Sequence, residues 1–219
     1  MSSHHIIREK QEPALIIADG EACSTELLGQ LLEWSPTVVV LDGALKRVLP
    51  LGIKVDVWLG DFDSSKDFDE AVIDYPFEKV HTPDQLYTDL EKGIMYLIEK
   101  GYPAVNIVWG TGMRTDHALN NLHALKKFSE QIKMVMMDDY SVIYPLPKKF
   151  VKWYAKGTIL SIMPFGQASN IKSKGLKWEI DHRSLELGDR TSSSNEAAKD
   201  GFVEIEYEGG FLLMMESNE

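Results

Sequence analysis

The sequence predicts an α/β protein in two parts: a mostly parallel, Rossmann-like α/β domain over residues 1–143, then a small all-β sandwich domain over residues 144–219. Three observations predict it. Short β-rich runs alternate with amphipathic stretches through the first two-thirds, the pattern of a parallel sheet with helices on its faces. The alternation stops near Tyr144-Pro145-Leu146-Pro147, after which helical periodicity is gone. The Asp- and Gly-rich segments fall just beyond predicted strands, where parallel α/β sheets bind their ligands.

Strands are expected at residues 15–18, 37–41, 57–59, 79–81, 105–108 and 134–137. Ser24 is placed to cap a helix carrying Leu27, Leu28, Leu31 and Leu32 on one face. Thr88 is placed to cap a second, with Leu90, Ile94 and Leu97 at i, i+4 and i+7. A third runs from about Thr115 through Leu119, Leu122 and Leu125. Beyond Pro147 the expected strands are short: 150–154, 158–163, 175–179, 202–207 and 211–215. Residues 203–207 alternate apolar and acidic with period two, as a half-exposed strand does.

Composition narrows the function. Of 219 residues, 44% are hydrophobic and 26% charged, which is ordinary for a globular chain with a real core. Lys and Arg number 23 against 34 Asp and Glu, a formal charge of −11. That balance speaks against nonspecific binding to nucleic acid or an anionic membrane. It leaves room for an anionic substrate, because a bound divalent cation reverses the local sign. A single cysteine, Cys23, permits no intramolecular disulfide and argues against a Cys-rich zinc site. Residues 1–10 contain no long apolar stretch and the apolar run at 38–41 is far too short to span a bilayer, so a cytoplasmic location is expected. His4-His5 is read as part of a solvated terminus.

The candidate site residues collect at predicted strand ends. Asp42-Gly43 follows one strand, Gly60-Asp61-Phe62-Asp63-Ser64 the next, and Thr88-Asp89 opens a helix after the fourth. Residues two apart in an extended or tight loop point to the same side. Asp61 and Asp63 held that way repel unless a proton or cation lies between them. Mg²⁺ uses one or two carboxylates together with phosphate oxygens and waters. The plainer reading of a lone Asp-x-Asp is a cap and a turn residue. Gly60, Ser64, Asp42 and Asp89 around it favour the metal.

Gly110-Thr111-Gly112-Met113-Arg114-Thr115-Asp116-His117 forms the second informative segment. Gly110 and Gly112 permit close backbone approach, and the amides opening the following helix suit an anion. Arg114 suits bidentate phosphate contact, and Asp116 a metal-bound water or a sugar. The plainer reading is a glycine turn with Asp116 as N-cap and Arg114 in solvent. The P-loop pattern Gly-x-x-x-x-Gly-Lys-Ser/Thr is absent, as are the full Gly-x-Gly-x-x-Gly fingerprint and the Gly-x-Ser-x-Gly elbow. His117 is better read as structural than as a general base, since acid–base work requires reach as well as a suitable pKa. Farther on, Thr191-Ser192-Ser193-Ser194-Asn195 supplies hydroxyls and an amide for a heterocycle, or a surface turn.

Taken in order, Asp42-Gly43-Ala44, Gly60-Asp61-Phe62-Asp63-Ser64, Asp84-Gln85-Leu86-Tyr87-Thr88-Asp89, Arg114-Thr115-Asp116-His117 with Asn121, and Ser192-Ser193-Ser194-Asn195 resemble the motifs of thiamine pyrophosphokinases. The resemblance runs over nearly the whole chain, excluding residues 1–10 and the acidic tail after Met215. It implies transfer of the β,γ-diphosphate of ATP to the thiamine hydroxyl, giving thiamine diphosphate and AMP. It implies a catalytic α/β domain that binds Mg²⁺-ATP, a β-sandwich that helps bind thiamine, and a homodimer with shared active sites. Carried over, Asp61, Asp63 and Asp89 are metal ligands, with Asp116 and Arg114 also catalytic. Asp42, Gly43, Gly60, Ser64, Gly110, Gly112, Arg114, His117 and Asn121 belong with ATP, and Gln85, Asp89, Ser193, Ser194 and Asn195 with thiamine. One departure is local: many relatives place glycines directly before the arginine, where this chain has Met113. Three rivals are a pyrophosphokinase for another hydroxymethyl heterocycle such as a pterin, a nucleotide- or thiamine-binding module without catalysis, and a structural protein.

Overall fold

The computed structural model describes residues 13–62 and 76–217. The chain divides into two compact units after Asp138, against the expected boundary at 143/144.

The first unit runs β1 (Ala14–Ile17), α1 (Thr25–Leu32), β2 (Thr37–Leu41), α2 (Leu45–Val48), β3 (Val57–Gly60), β4 (Glu78–His81), α3 (Asp89–Glu99), β5 (Ala104–Val108), α4 (Thr115–Phe128) and β6 (Lys133–Met137). Its sheet order is β4-β3-β2-β1-β5-β6, and each of the five pairings is parallel. The central strands β1, β2, β3 and β5 have scarcely an exposed residue. This is why they read as unbroken apolar runs such as Val38-Val39-Val40-Leu41 rather than as alternations. The strand order reverses at β1, whose neighbours are β2 and β5. Such a reversal opens a crevice beyond the carboxyl ends of the two strands flanking it.

The helix starts follow local chemistry. Ser24 Oγ accepts from Leu27 N at 3.3 Å and begins α1. Thr88 and Glu91 form a reciprocal capping box at α3, and Leu90, Ile94 and Leu97 are buried as their spacing predicts. Helix α4 differs from expectation. Arg114 is its N-cap without a side-chain cap bond, Asp116 lies in the first turn, and Leu119 is 56% exposed. The buried side of α4 is Ala124, Leu125 and Phe128, because its first two turns face a cavity. Among the described residues no helix is long and apolar enough to cross a membrane.

The second unit is antiparallel in every pairing: β7 (Ser141–Pro145), β8 (Lys149–Tyr154), β9 (Ile159–Lys174), β10 (Asp181–Glu186), β11 (Ser192–Glu196), β12 (Gly201–Glu206) and β13 (Gly209–Ser217). Its strand order is β7-β13-β9-β12-β8, with β10 and β11 also on β9. Strand β9 has room for four partners because it is 16 residues long, and Gly166 and Asn170 within it take positive φ. Residues 158–163 are therefore only the beginning of a longer strand. Residues 175–179 form no strand, only the bridge from Leu176 to Ala197. The Tyr144-Pro145 punctuation falls inside β7, where Pro145 is the last residue and closes the strand. The serine-rich segment, weighed as a turn, is strand β11 with a register shift between Ser192 and Asn195. Leu160, Ile162, Ile171, Val203, Ile205 and Leu212 centre the core of this unit. Val203, Ile205 and Tyr207 are buried, and Glu204 and Glu206 alternate with them, as the period-two pattern predicts.

Candidate active site

A cavity of about 780 Å³ opens at the carboxyl ends of the first unit's strands. Asp42, Gly43, Asp61, Gln85, Asp89, Gly110, Gly112, Arg114, Asp116, His117 and Asn121 line it. The topology explains this: the loops after β2, β3 and β5 all end on the same edge of a parallel sheet.

The loops are held close by residues lacking side chains. A Cβ on Gly60 would stand 2.7 Å from Asp42 Cβ and 2.8 Å from Asp42 Oδ1. One on Gly43 would stand 2.8 Å from Asp19 Oδ2. The carboxylates thus enter the cavity from loops packed against one another. Asp42 itself has φ +24, a costly value for a residue with a side chain. Gln85 Nε2 donates to Asp61 Oδ2 at 2.9 Å. Lys92, buried on α3, donates from Nζ to Thr82 O at 2.9 Å and to Asp89 Oδ1 at 3.4 Å. Burial pushes the Asp89 carboxyl above the usual carboxylate range, the nearby Asp42 and Asp61 charges push the same way, and Lys92 opposes them.

On the other side Arg114 and Asp116 make a two-point pair, Nε to Oδ1 at 3.2 Å and Nη2 to Oδ2 at 2.6 Å. The shared hydrogen bond lowers the Asp116 pKa and raises that of Arg114. Both side chains are largely solvent-exposed, so the pair is loosely held and available to a ligand. Asn121 donates to Gly110 O at 2.8 Å. It ties helix α4 to the glycine turn, so its amide nitrogen acts first on the loop. Asp63 and Ser64 lie outside the described residues.

Ser193, Ser194 and Asn195 lie in the second unit, on β11. Ser193 and Ser194 are exposed, and Ser194 takes φ +52. Asn195 is 2% exposed and its amide is spent on the protein. It accepts from Trp178 N at 3.2 Å and Glu196 N at 2.9 Å. It donates to Trp178 O at 2.8 Å and Ser192 Oγ at 3.1 Å. Trp178, 56% exposed, is framed by those bonds, with Lys177 Nζ 4.6 Å from its ring centre.

The family model described as the catalytic domain of thiamin pyrophosphokinase matches residues 28–137, and the model of its vitamin B1 binding domain matches residues 147–212. The chain belongs to the thiamin pyrophosphokinase family. Thiamin pyrophosphokinase 1 of Caenorhabditis elegans is 28% identical over 173 residues, 72% of this chain and 70% of that relative. Thiamine pyrophosphokinase 1 of Oryza sativa subsp. japonica is 29% identical over 156 residues, 65% of this chain and 59% of the relative. The crystal structure of thiamine pyrophosphokinase from Bacillus subtilis superposes with a TM-score of 0.79 at 24% identity, covering 94% of this chain and 99% of that one. The yeast thiamin pyrophosphokinase structure gives 0.81 at 18% identity, covering 96% and 88%. At those identities the superpositions speak for the mixed α/β fold.

Within this family member the cavity also holds Asp19, Gly20 and Lys92, which motif reading passed over. A signal for the first two was present: Asp19-Gly20 follows a strand as Asp42-Gly43 does. Lys92 stands three residues after Asp89 on a helix, a spacing that places the two side chains together. The Met113 departure has a structural counterpart, since Met113 takes φ +51 and is 66% exposed.

Proposed function

We propose that the chain transfers the β,γ-diphosphate of ATP to the primary hydroxyl of thiamine, releasing AMP. The observation carrying this reading is the gathering of Asp42, Asp61 and Asp89, with Arg114 and Asp116 facing them, in one cavity at the strand ends. Mutually repelling carboxylates in a partly buried site are stabilised by a cation, and a polyphosphate brings one with it. The intact acid set is more than a binding module needs, and a structural protein leaves it unexplained. The serine-bearing strand favours thiamine over a pterin.

The all-oxygen donor set fits Mg²⁺. Among the described residues no three His, Cys, Asp or Glu side chains form a finished ion site, so phosphate oxygens and Asp63 complete it in this reading. Asp61, Asp63 and Asp89 would hold the ion, which supplies charge neutralisation on the phosphate oxygens. The thiamine oxygen attacks the β-phosphorus, the bond between that phosphorus and the oxygen bridging to the α-phosphorus breaks, and AMP departs with the bridging oxygen. Such transfers rest on positioning and charge stabilisation. Arg114 leaves Asp116 for the phosphates and offsets the developing charge. A carboxylate of this set, Asp89 or Asp61, accepts the hydroxyl proton. Gln85 orients Asp61 and faces thiamine. In the second unit Ser193 and Ser194 offer hydroxyls to the vitamin, and Asn195 acts at one remove by fixing the Trp178 backbone. A Rossmann-like catalytic domain, a thiamine-binding sandwich, a cytoplasmic location and a homodimer with shared sites complete the reading, carried by family membership.

Asp61→Asn tests it. The variant should keep its circular dichroism and melting temperature and lose turnover by at least about 10²-fold. A folded variant with unchanged turnover would remove Asp61 from the metal site. An acceptor panel of thiamine and a hydroxymethylpterin, scored by AMP release, separates the two pyrophosphokinase readings.

A further inference from the structure

Arg47, on α2, is absent from every motif, yet it joins the two loops at the strand reversal. Its Nη1 donates to Gly20 O at 2.7 Å and Asp19 Oδ1 at 3.3 Å in the loop after β1. The same nitrogen reaches Met113 Sδ at 3.7 Å in the loop after β5. Its guanidinium carbon lies 4.5 Å from the centre of the Trp109 ring. Trp109 is the first residue beyond β5 and is unusual in two ways: φ is +57, and its indole N–H is buried with no hydrogen-bond partner among the described residues. A bulky residue held in that backbone region carries strain, and strain of this kind collects at functional sites.

The two loops are also zipped through the backbone. Gly20 N donates to Trp109 O at 2.7 Å and Glu21 N to Thr111 O at 2.8 Å. A Cβ on Gly20 would stand 2.4 Å from the carbonyl oxygens of both Trp109 and Thr111, and one on Gly112 would stand 2.4 Å from Glu21 Cβ. Asp19, Gly20, Gly110, Gly112, Met113 and Arg114 line the cavity wall that results. The loop 109–114 therefore takes its shape from the loop after β1, and Arg47 is the side chain that bridges them.

We propose that Arg47, stacked on Trp109, is a positioning residue for the nucleotide: it locks loop 109–114 in the form that receives the phosphates of ATP. The inference rests on the diphosphate-transfer reading, and its effect belongs to nucleotide binding, because Arg47 itself does not line the cavity. A planar guanidinium stacks flat on an indole and holds its donors in one fixed plane; an ammonium is a compact point charge with no plane to stack.

The test compares Arg47→Met, which keeps the apolar stem, and Arg47→Lys with the unaltered chain. Calorimetry gives the Kd of Mg²⁺ with a non-hydrolysable ATP analogue, and steady-state kinetics give kcat and both KM values. Arg47→Met should weaken analogue binding and raise the ATP KM about tenfold, with kcat and thiamine KM within about threefold. Arg47→Lys should recover little of the loss. Unaltered nucleotide affinity in folded Arg47→Met overturns the proposal, and so does full recovery in Arg47→Lys, which would reduce Arg47 to a point charge. Equal losses in kcat, both KM values and melting temperature also overturn it, because they describe a merely structural residue. If the unaltered chain binds the analogue but gives thiamine no diphosphate, the proposed reaction fails while the calorimetry still judges Arg47; no analogue binding at all overturns both.

Discussion

Gly60 lacks a side chain because Asp42 occupies the space one would need. In Gly60→Ala the new methyl meets Asp42 Cβ and, at 3.0 Å, its Cα, so the loop after β2 must move. The expected result is a loss of turnover far larger than the loss of stability, read by kinetics beside thermal melting; wild-type turnover would show that the loops have slack. Asn195 behaves differently. Asn195→Ala strands the Trp178 and Glu196 amides, which costs about 1–3 kcal/mol. Denaturant unfolding should register that loss, and the thiamine KM should rise with it. An unchanged thiamine KM would separate Trp178 from the vitamin. Both positions were visible in the sequence, but as motif letters. That Gly60 yields space to Asp42, and that Asn195 faces inward, depends on contacts between distant segments, which no local pattern encodes.

At the scale of elements, helix α3 carries Asp89 at its first position and is fixed on two sides. The capping box joins Thr88 to Glu91, and Lys127 of α4 reaches the other Glu91 oxygen at 2.6 Å. Burial alone would raise the Glu91 pKa; the bonds from Lys127 and Thr88 outweigh it and lower it. Thr88→Ala removes the cap at a cost of about 1 kcal/mol, and it should also lower turnover because Asp89 moves with the helix end. Denaturant midpoints and kcat measured on one preparation check this, and a stability loss with kcat intact would contradict it. The caps at Ser24 and Thr88 were legible because capping is local chemistry. The long β9 was not: its middle, Phe165-Gly166-Gln167-Ala168-Ser169-Asn170, has turn-forming residues, two of them at positive φ, and only its four partners make it one strand.

Across the whole molecule, the fold of the first unit was readable because a parallel sheet buries both faces and needs long apolar runs. The second unit exposes more of each strand, so its boundaries blurred. It also contains a buried polar cluster that no motif announced. Glu216, 3% exposed, accepts from Lys152 Nζ at 2.7 and 2.9 Å, from Tyr154 OH at 2.6 Å and from Tyr144 OH. Burial would raise the Glu216 pKa, but those donors together lower it. Burial, and then the carboxylate beside them, push both tyrosines well above the usual phenol range. A carboxyl with a depressed folded pKa contributes stability that is complete above its unfolded value and lost as pH falls through the folded one. Glu216→Gln should therefore be about 2–3 kcal/mol less stable than the unaltered chain at neutral pH. The difference should shrink in acid, once the wild-type carboxyl is protonated. Urea unfolding across that range measures it, and a constant difference would contradict the assignment.

A single-step diphosphate transfer at the strand-end carboxylates fixes which products form and in what ratio. The chain is incubated with Mg²⁺-ATP and thiamine, and every nucleotide and thiamine species is identified by mass. AMP and thiamine diphosphate should form in equal amounts, both dependent on thiamine. ADP with thiamine monophosphate, or no thiamine-dependent product from folded protein, would contradict it.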